Sequence, residues 1–201
     1  MKKYTIFRVA DKADWSKIPV ISIDTPYENT PASIEATAQI AYNDEALLVR
    51  LWTKEENYRA ILTGMLDEPC EDSCLEFFFS GSTEDPRYLN LEFNPNGCLY
   101  LGLGDMEGNP RLIRLLAEPE EVFAPVITRG TDNWSIEYRI PFTFIRYFFP
   151  DFQPEQGSLI SANCYKCADC SEPPHYLSWN PVTWGELCLH RRDQFGIMQF
   201  Q

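Results

Sequence analysis

The cleanest alternation of hydrophobic and polar positions runs from Tyr88 to Phe93, where Leu89, Leu91 and Phe93 interleave with Tyr88, Asn90 and Glu92. Successive side chains of a strand point to opposite faces, so the pattern predicts a strand with one face in a core and one polar face. Cys74 to Phe79, a short aromatic-rich run, supplies a partner. The stretch Glu71 to Gly97 therefore reads as a hairpin at the centre of a sheet.

The same pattern extends along the chain. Lys3 to Val9 predicts an edge strand, and Trp15 a plug beside it. Residues 19–36, with Pro19, Pro26 and Pro31, read as a loop. Thr37 to Tyr42 and Ala46 to Thr53 are strands about the turn Asn43-Asp44-Glu45. In the second, Leu47, Val49 and Leu51 share one face and Leu48, Arg50 and Trp52 the other. Glu55 to Thr63 fits a strand or a helical turn. Asn94-Pro95-Asn96-Gly97 is a strong turn signal, followed by a strand from Cys98 to Leu103. After a glycine-containing loop at 104–110, Arg111 to Leu116, Pro125 to Arg129 and Trp134 to Ile140 are strands, and Phe142 to Phe149 predicts one or two helical turns. Ser158 to Lys166, Leu177 to Asn180 and Phe195 to Phe200 complete the sheets, with a polar loop over Cys167 to Pro174. Many short strands, with one short helix at most, predict an all-β antiparallel sandwich, a single domain over residues 1–201.

Charge narrows the partners. The 201 residues carry a formal charge of −13, which repels phosphate backbones and anionic lipid, so neither nucleic acid nor membrane is an expected partner. No stretch approaches the roughly 18 apolar residues of a membrane span. Tyr4-Thr5-Ile6-Phe7-Arg8 is not the apolar core of a signal peptide, which predicts a cytoplasmic protein, or an extracytoplasmic one whose leader has been removed. Seven cysteines, an odd number, argue against a disulfide framework and for a reducing compartment. Cys164, Cys167 and Cys170 form C-x2-C-x2-C, a spacing that invites a metal reading. Only Cys188 and His190 follow as further ligands, however, and Cys164 shares the parity of Ile160 and Ala162, which suits a small core residue.

The candidate chemistry is that of recognition. Tyr88, Asn90 and Glu92 place a phenol, an amide and a carboxylate in a row, which suits a polar uncharged ligand such as a sugar; the alternative is a strand face that only meets water. Trp179 and Trp184 lie in or near the Pro-bounded segment His175 to Pro181. An indole packs on the C–H face of a sugar ring while amides, carboxylates and guanidiniums take its hydroxyls. Trp52 with Arg50 offers another wall; the alternative for each tryptophan is a plug in the sandwich. Glu76 and Glu92 can face each other across the hairpin, the one carboxylate pair that suggests hydrolysis. No nucleophile elbow, phosphate loop or H-E-x-x-H is present.

Several blocks in order, Tyr42-Asn43-Asp44-Glu45-Ala46-Leu47, Glu71-Asp72-Ser73-Cys74-Leu75-Glu76-Phe77-Phe78, Tyr88-Leu89-Asn90-Leu91-Glu92-Phe93-Asn94, Asn163-Cys164-Tyr165-Lys166-Cys167, Pro174 to Pro181 and Phe195-Gly196, resemble the family 9 carbohydrate-binding modules over about residues 35–200. The resemblance implies an immunoglobulin-like or jelly-roll sandwich and a non-catalytic module for plant-type glycans such as xylan or β-glucan. It also implies a clamp of two tryptophans, with structural calcium possible and no other cofactor. Trp179 matches one clamp position; the other holds Pro69 and Cys70, leaving Trp184 or Trp52 as substitutes. Glu76 and Asn163 match positions that can bond hydroxyls. The rival readings are a haem-binding sandwich using Met65 and His190, a glycoside hydrolase using Glu76 and Glu92, and a scaffold whose sugar site has decayed. The oligomeric state stays open.

Overall fold

The computed structural model of the chain describes residues 1–27, 29–64, 66–108, 110–183 and 189–201. Its strands are β1 (Lys3–Arg8), β2 (Ile21–Ser22), β3 (Thr25–Pro26), β4 (Glu35–Tyr42), β5 (Ala46–Lys54), β6 (Cys74–Phe79), β7 (Tyr88–Phe93), β8 (Leu99–Gly104), β9 (Arg111–Leu112), β10 (Val126–Arg129), β11 (Asn133–Pro141), β12 (Leu159–Ala168), β13 (His175–Ser178) and β14 (Gly196–Phe200). Two sheets result. The first runs β9-β8-β7-β6-β12-β14-β1, with β13 also on β12 and β3 on β13; the second runs β10-β11-β5-β4-β1, with β2 on β4. The expected all-β sandwich is what forms, and the hairpin β6–β7 lies inside the first sheet.

Between the sheets the apolar sides of the alternating strands meet. Leu75, Phe77 and Phe79 of β6 and Leu89, Leu91 and Phe93 of β7 pack with Leu47, Val49 and Leu51 of β5 and with Trp134, Ile136, Tyr138 and Ile140 of β11. The Phe93 and Tyr138 rings, one from each sheet, lie 5.0 Å apart. Each such side chain contributes roughly 1.5–3 kcal/mol by leaving water.

Four expectations need correction. The strand from Lys3 is not an edge: β1 pairs in parallel with β14 through Lys3 to Ile6 and with β4 through Phe7 and Arg8, so it belongs to both sheets. Its burial alternates little, which hides a central position in the sequence. Among the described residues there are two α-helices rather than one at most: α1 (Pro119–Phe123) precedes α2 (Phe142–Phe148). Proline opens α1, Glu120 and Glu121 sit in its first turn, and Ala124 closes it in the left-handed region at φ 47°. Trp15 is only half-buried, not a plug; its carbonyl accepts Gln39 Nε2 at 2.6 Å. Glu55 to Thr63 forms neither strand nor helix. The loop there is instead pinned by the buried Asp72 carboxylate, which accepts the amides of Ile61 and Leu62 at 2.8 Å each and also pairs with Arg59. Among the described residues no helix is long and apolar enough to cross a membrane.

Candidate functional site

The outer face of the first sheet carries the polar side of the hairpin, and the strand register arranges it in rows. Ser178, Tyr165, Glu76, Glu92 and Tyr100 lie side by side across β13, β12, β6, β7 and β8. The next row is Asn163, Phe78, Asn90 and Gly102, and the row on the other side is Tyr176, Cys167 and Cys74. Tyr88 faces Gly104. The two glycines matter because the neighbouring side chains occupy the space a Cβ would need: the Tyr88 ring lies over Gly104, and the Asn90 amide over Gly102.

This face was expected to be half-exposed, yet Tyr88, Asn90 and Glu92 are all buried. A second apolar cluster forms there from Cys74, Phe78, Tyr88, Tyr165, Cys167, Tyr176, Val182 and Phe195. The cover comes from the last third of the chain. His190 stacks on Phe78 with ring centroids 5.1 Å apart and its Nδ1 lies 2.9 Å from the Tyr88 hydroxyl. The Tyr165 hydroxyl donates to the Leu189 carbonyl at 2.9 Å. Arg192, itself buried, donates to the carbonyls of Ser82, Thr83 and Asp85 and so fastens this segment to the β6–β7 connection.

The electrostatics of the face centre on Glu76 and Glu92, direct cross-strand neighbours. Burial, with the Asp169 charge adding to it, pushes the Glu76 pKa up to about 7 against hydrogen bonds from the Cys167 and Cys74 thiols. Burial and the charge of Glu76 push Glu92 well above the carboxylate range, although Asn90 Nδ2 donates to it at 2.7 Å. Two buried carboxylates this close hold a proton between them. Asn90 Oδ1 is buried with no hydrogen-bond partner. Burial also lowers the His190 pKa to about 4, so its imidazole is neutral.

The predicted site residues divide. Glu76, Glu92, Tyr88 and Asn90 come together on this face. Asn163 stands in it too, but both ends of its amide are used: Nδ2 donates to the Tyr165 hydroxyl and the Asn180 carbonyl at 3.0 Å each, and Oδ1 accepts the amides of Cys164 and Asn180. Trp179 is a correction. It is 4% exposed, belongs to the core between the sheets, and packs against Gly196, where a Cβ would come within 2.7 Å of its ring. Its indole lies in the core between the sheets and not on the outer face. Arg50 and Trp52 alternate with the core residues of β5 and lie on the outer side of the second sheet, the opposite side of the sandwich, where Arg50 Nε is 3.5 Å from Glu137. Trp184, Met65 and Cys188 lie outside the described residues.

Tyr100, Tyr165, Cys74, Cys167 and His190 were not singled out for this face. Cys74 could have been, since it stands two residues before Glu76 on the same strand. The cysteine motif also disperses by parity. Cys164 faces the core, Cys167 the outer face beside Cys74, and Cys170 solvent, so the three do not converge.

Residues 7–200 match the model of carbohydrate-binding family 9. A crystal structure from Bacteroides uniformis ATCC 8492, named as a candidate carbohydrate-binding protein, is similar over 100% of this chain and 99% of that one, with 24% identity and a TM-score of 0.84. A family 9 carbohydrate-binding module from Caldicellulosiruptor kristjanssonii in complex with cellotriose shares 12% identity over 100% and 94% of the two chains, with a TM-score of 0.71. The corresponding glucose complex shares 13% identity over 100% and 96%, with a TM-score of 0.67. At these identities the structures bear on the fold. No curated protein matches the chain.

Proposed function

We propose that this chain, which belongs to carbohydrate-binding family 9, binds a carbohydrate on the outer face of its first sheet without cleaving it. The observation that carries the reading is the Asn90 amide carbonyl, buried without a partner where it packs over Gly102, beside the row that holds Glu76 and Glu92. A sugar hydroxyl donates to such an oxygen, and burial makes the unmade bond costly, at about 1–3 kcal/mol. Tyr100, half-buried at the end of the row that holds Glu76 and Glu92, offers a ring for the apolar side of a pyranose.

The ligand class we favour is a β-linked glucan or xylan fragment. The Caldicellulosiruptor module of this fold holds cellotriose and glucose, which supports a glucose-configured unit. Binding without cleavage is favoured because the chain belongs to a family of carbohydrate-binding modules and because Glu76 and Glu92, 2% and 6% exposed, are both buried. His190, stacked on Phe78 and bonded to Tyr88, is engaged rather than free for a haem iron.

Isothermal titration with glucose, cellotriose, xylotriose and mannotriose tests the reading. Binding is expected for at least one glucose- or xylose-based ligand, and Asn90→Ala should weaken it by about tenfold, the cost of one buried hydrogen bond. Absence of heat across the panel from a folded protein overturns the reading, as does unchanged affinity in Asn90→Ala.

A further inference from the structure

Two of the described cysteines stand directly opposite each other. Cys74 opens β6 and faces Cys167 of β12 in the antiparallel register. Both side chains lie on the outer face of the first sheet, in one cluster with Phe78, Tyr165 and Tyr176. Directly opposed residues of an antiparallel pair have Cα atoms about 4.5–5.5 Å apart, and a disulfide spans about 4.4–6.8 Å between Cα atoms. Their Cβ atoms, about 4.5–5.5 Å apart, need to close by only about 1 Å to reach a bridged separation.

The carboxyl of Glu76 draws the two sulfurs to one place. It receives hydrogen bonds from both the Cys167 and the Cys74 thiols, and one of its oxygens lies within 4.8 Å of Cys74 Sγ. Two thiols on one carboxyl is more than packing asks of a small apolar side chain. The other described cysteines are placed differently. Cys164, also on β12, faces the core between the sheets. Cys98 lies against the carbonyls of Gly64 and Asp67, and Cys170 is exposed. Cys70, half-buried against the same outer cluster, sits on the turn Pro69–Glu71 before β6.

We propose that Cys74 and Cys167 are a redox-modification site, a dithiol that hydrogen peroxide converts into a disulfide joining β6 to β12. In the first step one thiol gives its proton to the Glu76 carboxylate and its sulfur attacks a peroxide oxygen. The O–O bond breaks, a sulfenic acid forms, and the departing hydroxide takes the proton back from Glu76 and leaves as water. The second thiol then attacks the sulfenic sulfur. The S–O bond breaks, the S–S bond forms, and a second water carries off the thiol proton. The two sulfurs lose two electrons to the peroxide, and Glu76 ends as it began. A small neutral oxidant suits a pair that is 0% and 1% exposed. Burial pushes both thiol pKa values up, which keeps the pair in its thiol form until such an oxidant is present. The modification does not depend on sugar binding.

The test treats the reduced, folded full chain with hydrogen peroxide, blocks the remaining thiols, and maps the cysteines by mass spectrometry of unreduced peptides. A peptide pair joined through Cys74 and Cys167 should appear, and dithiothreitol should return both to thiols. In Cys167→Ser the sulfenic acid should persist on Cys74 and be captured by dimedone. Glu76→Gln, close in shape to the native residue, should slow bridge formation by about tenfold or more, because the proton acceptor is gone. Cys70→Ser and Cys170→Ser should leave the bridge unchanged, and circular dichroism checks each fold. Cys74 and Cys167 still free after peroxide has oxidised the exposed Cys170 overturns the proposal. A bridge from either residue to any other cysteine overturns it as well. Sugar titration plays no part in these readouts, so the two readings fail separately.

Discussion

Strand β12 separates two buried acidic centres that resolve the same problem in opposite ways. On the side of the core, Glu55 receives Lys166 Nζ at 3.0 Å, His175 Nε2 at 3.2 Å and the Ser73 hydroxyl. Ser73 is in turn held by the Trp134 indole at 2.8 Å, and Lys166 also reaches the Cys167 carbonyl at 2.7 Å. Burial raises the Glu55 pKa, but the Lys166 charge and the hydrogen bonds from His175 and Ser73 outweigh it and bring the carboxyl down to about 2. On the outer side, Glu76 and Glu92 are equally buried and their pKa values move up. Depth alone therefore does not say whether an internal carboxylate is scaffold or site. The supply of donors and positive charge around it does. A saturated centre holds the fold together, whereas an unsaturated one keeps capacity for something that arrives later.

The largest effect should come from breaking the saturated centre. Lys166→Met leaves Glu55 buried without its charge partner and should cost about 3–5 kcal/mol of stability by urea denaturation. Glu92→Gln on the unsaturated side replaces a carboxyl that burial already keeps protonated and should cost little. If the two substitutions cost the same, the contrast fails.

The next effect is a pair of opposite slopes with pH. The folded pKa of Glu55, about 2, lies below its ordinary value of 4.5, so its contribution is full above that value and is lost as pH falls toward 2. Glu76, raised from 4.5 to about 7, contributes stability below 4.5 that is lost as pH rises through 7. The protein should therefore be most stable in weak acid. Glu76→Gln should flatten the alkaline limb only, as read from denaturation midpoints at about pH 3, 5 and 8. The smallest effect belongs to the other side of the sandwich: Trp52→Phe and Arg50→Ala should leave sugar affinity unchanged in the same titrations. A loss there would move the binding face.

The hairpin β6–β7 was legible because its signal is local, a strict period of two with a turn on either side. The second half of the site was not, because it arrives from about a hundred residues away. Nothing between Tyr88 and Phe93 announces that His190 will lie against Tyr88 or that Arg192 will clasp the hairpin connection, so a covered face read as a half-exposed one. Trp179 misled for a related reason. A tryptophan in a Pro-bounded segment suggests a surface platform, but the hollow left by Gly196 takes the indole inward. Parity alone could have separated Cys164 from Cys167, and it could have put Cys74 beside Glu76.

The strand shared by the two sheets has a mechanical consequence. Because β1 and β14 run in parallel, with Lys3 opposite Ile197 and Ile6 opposite Phe200, tension entering before Lys3 and leaving after Phe200 pulls the two strands lengthwise past each other. Their slanted hydrogen bonds are then loaded together in shear instead of being unzipped one at a time. Lengthwise pull meets its firmest resistance at the seam of the sandwich, and the polar outer rows of β6, β7 and β8 lie outside that line of force.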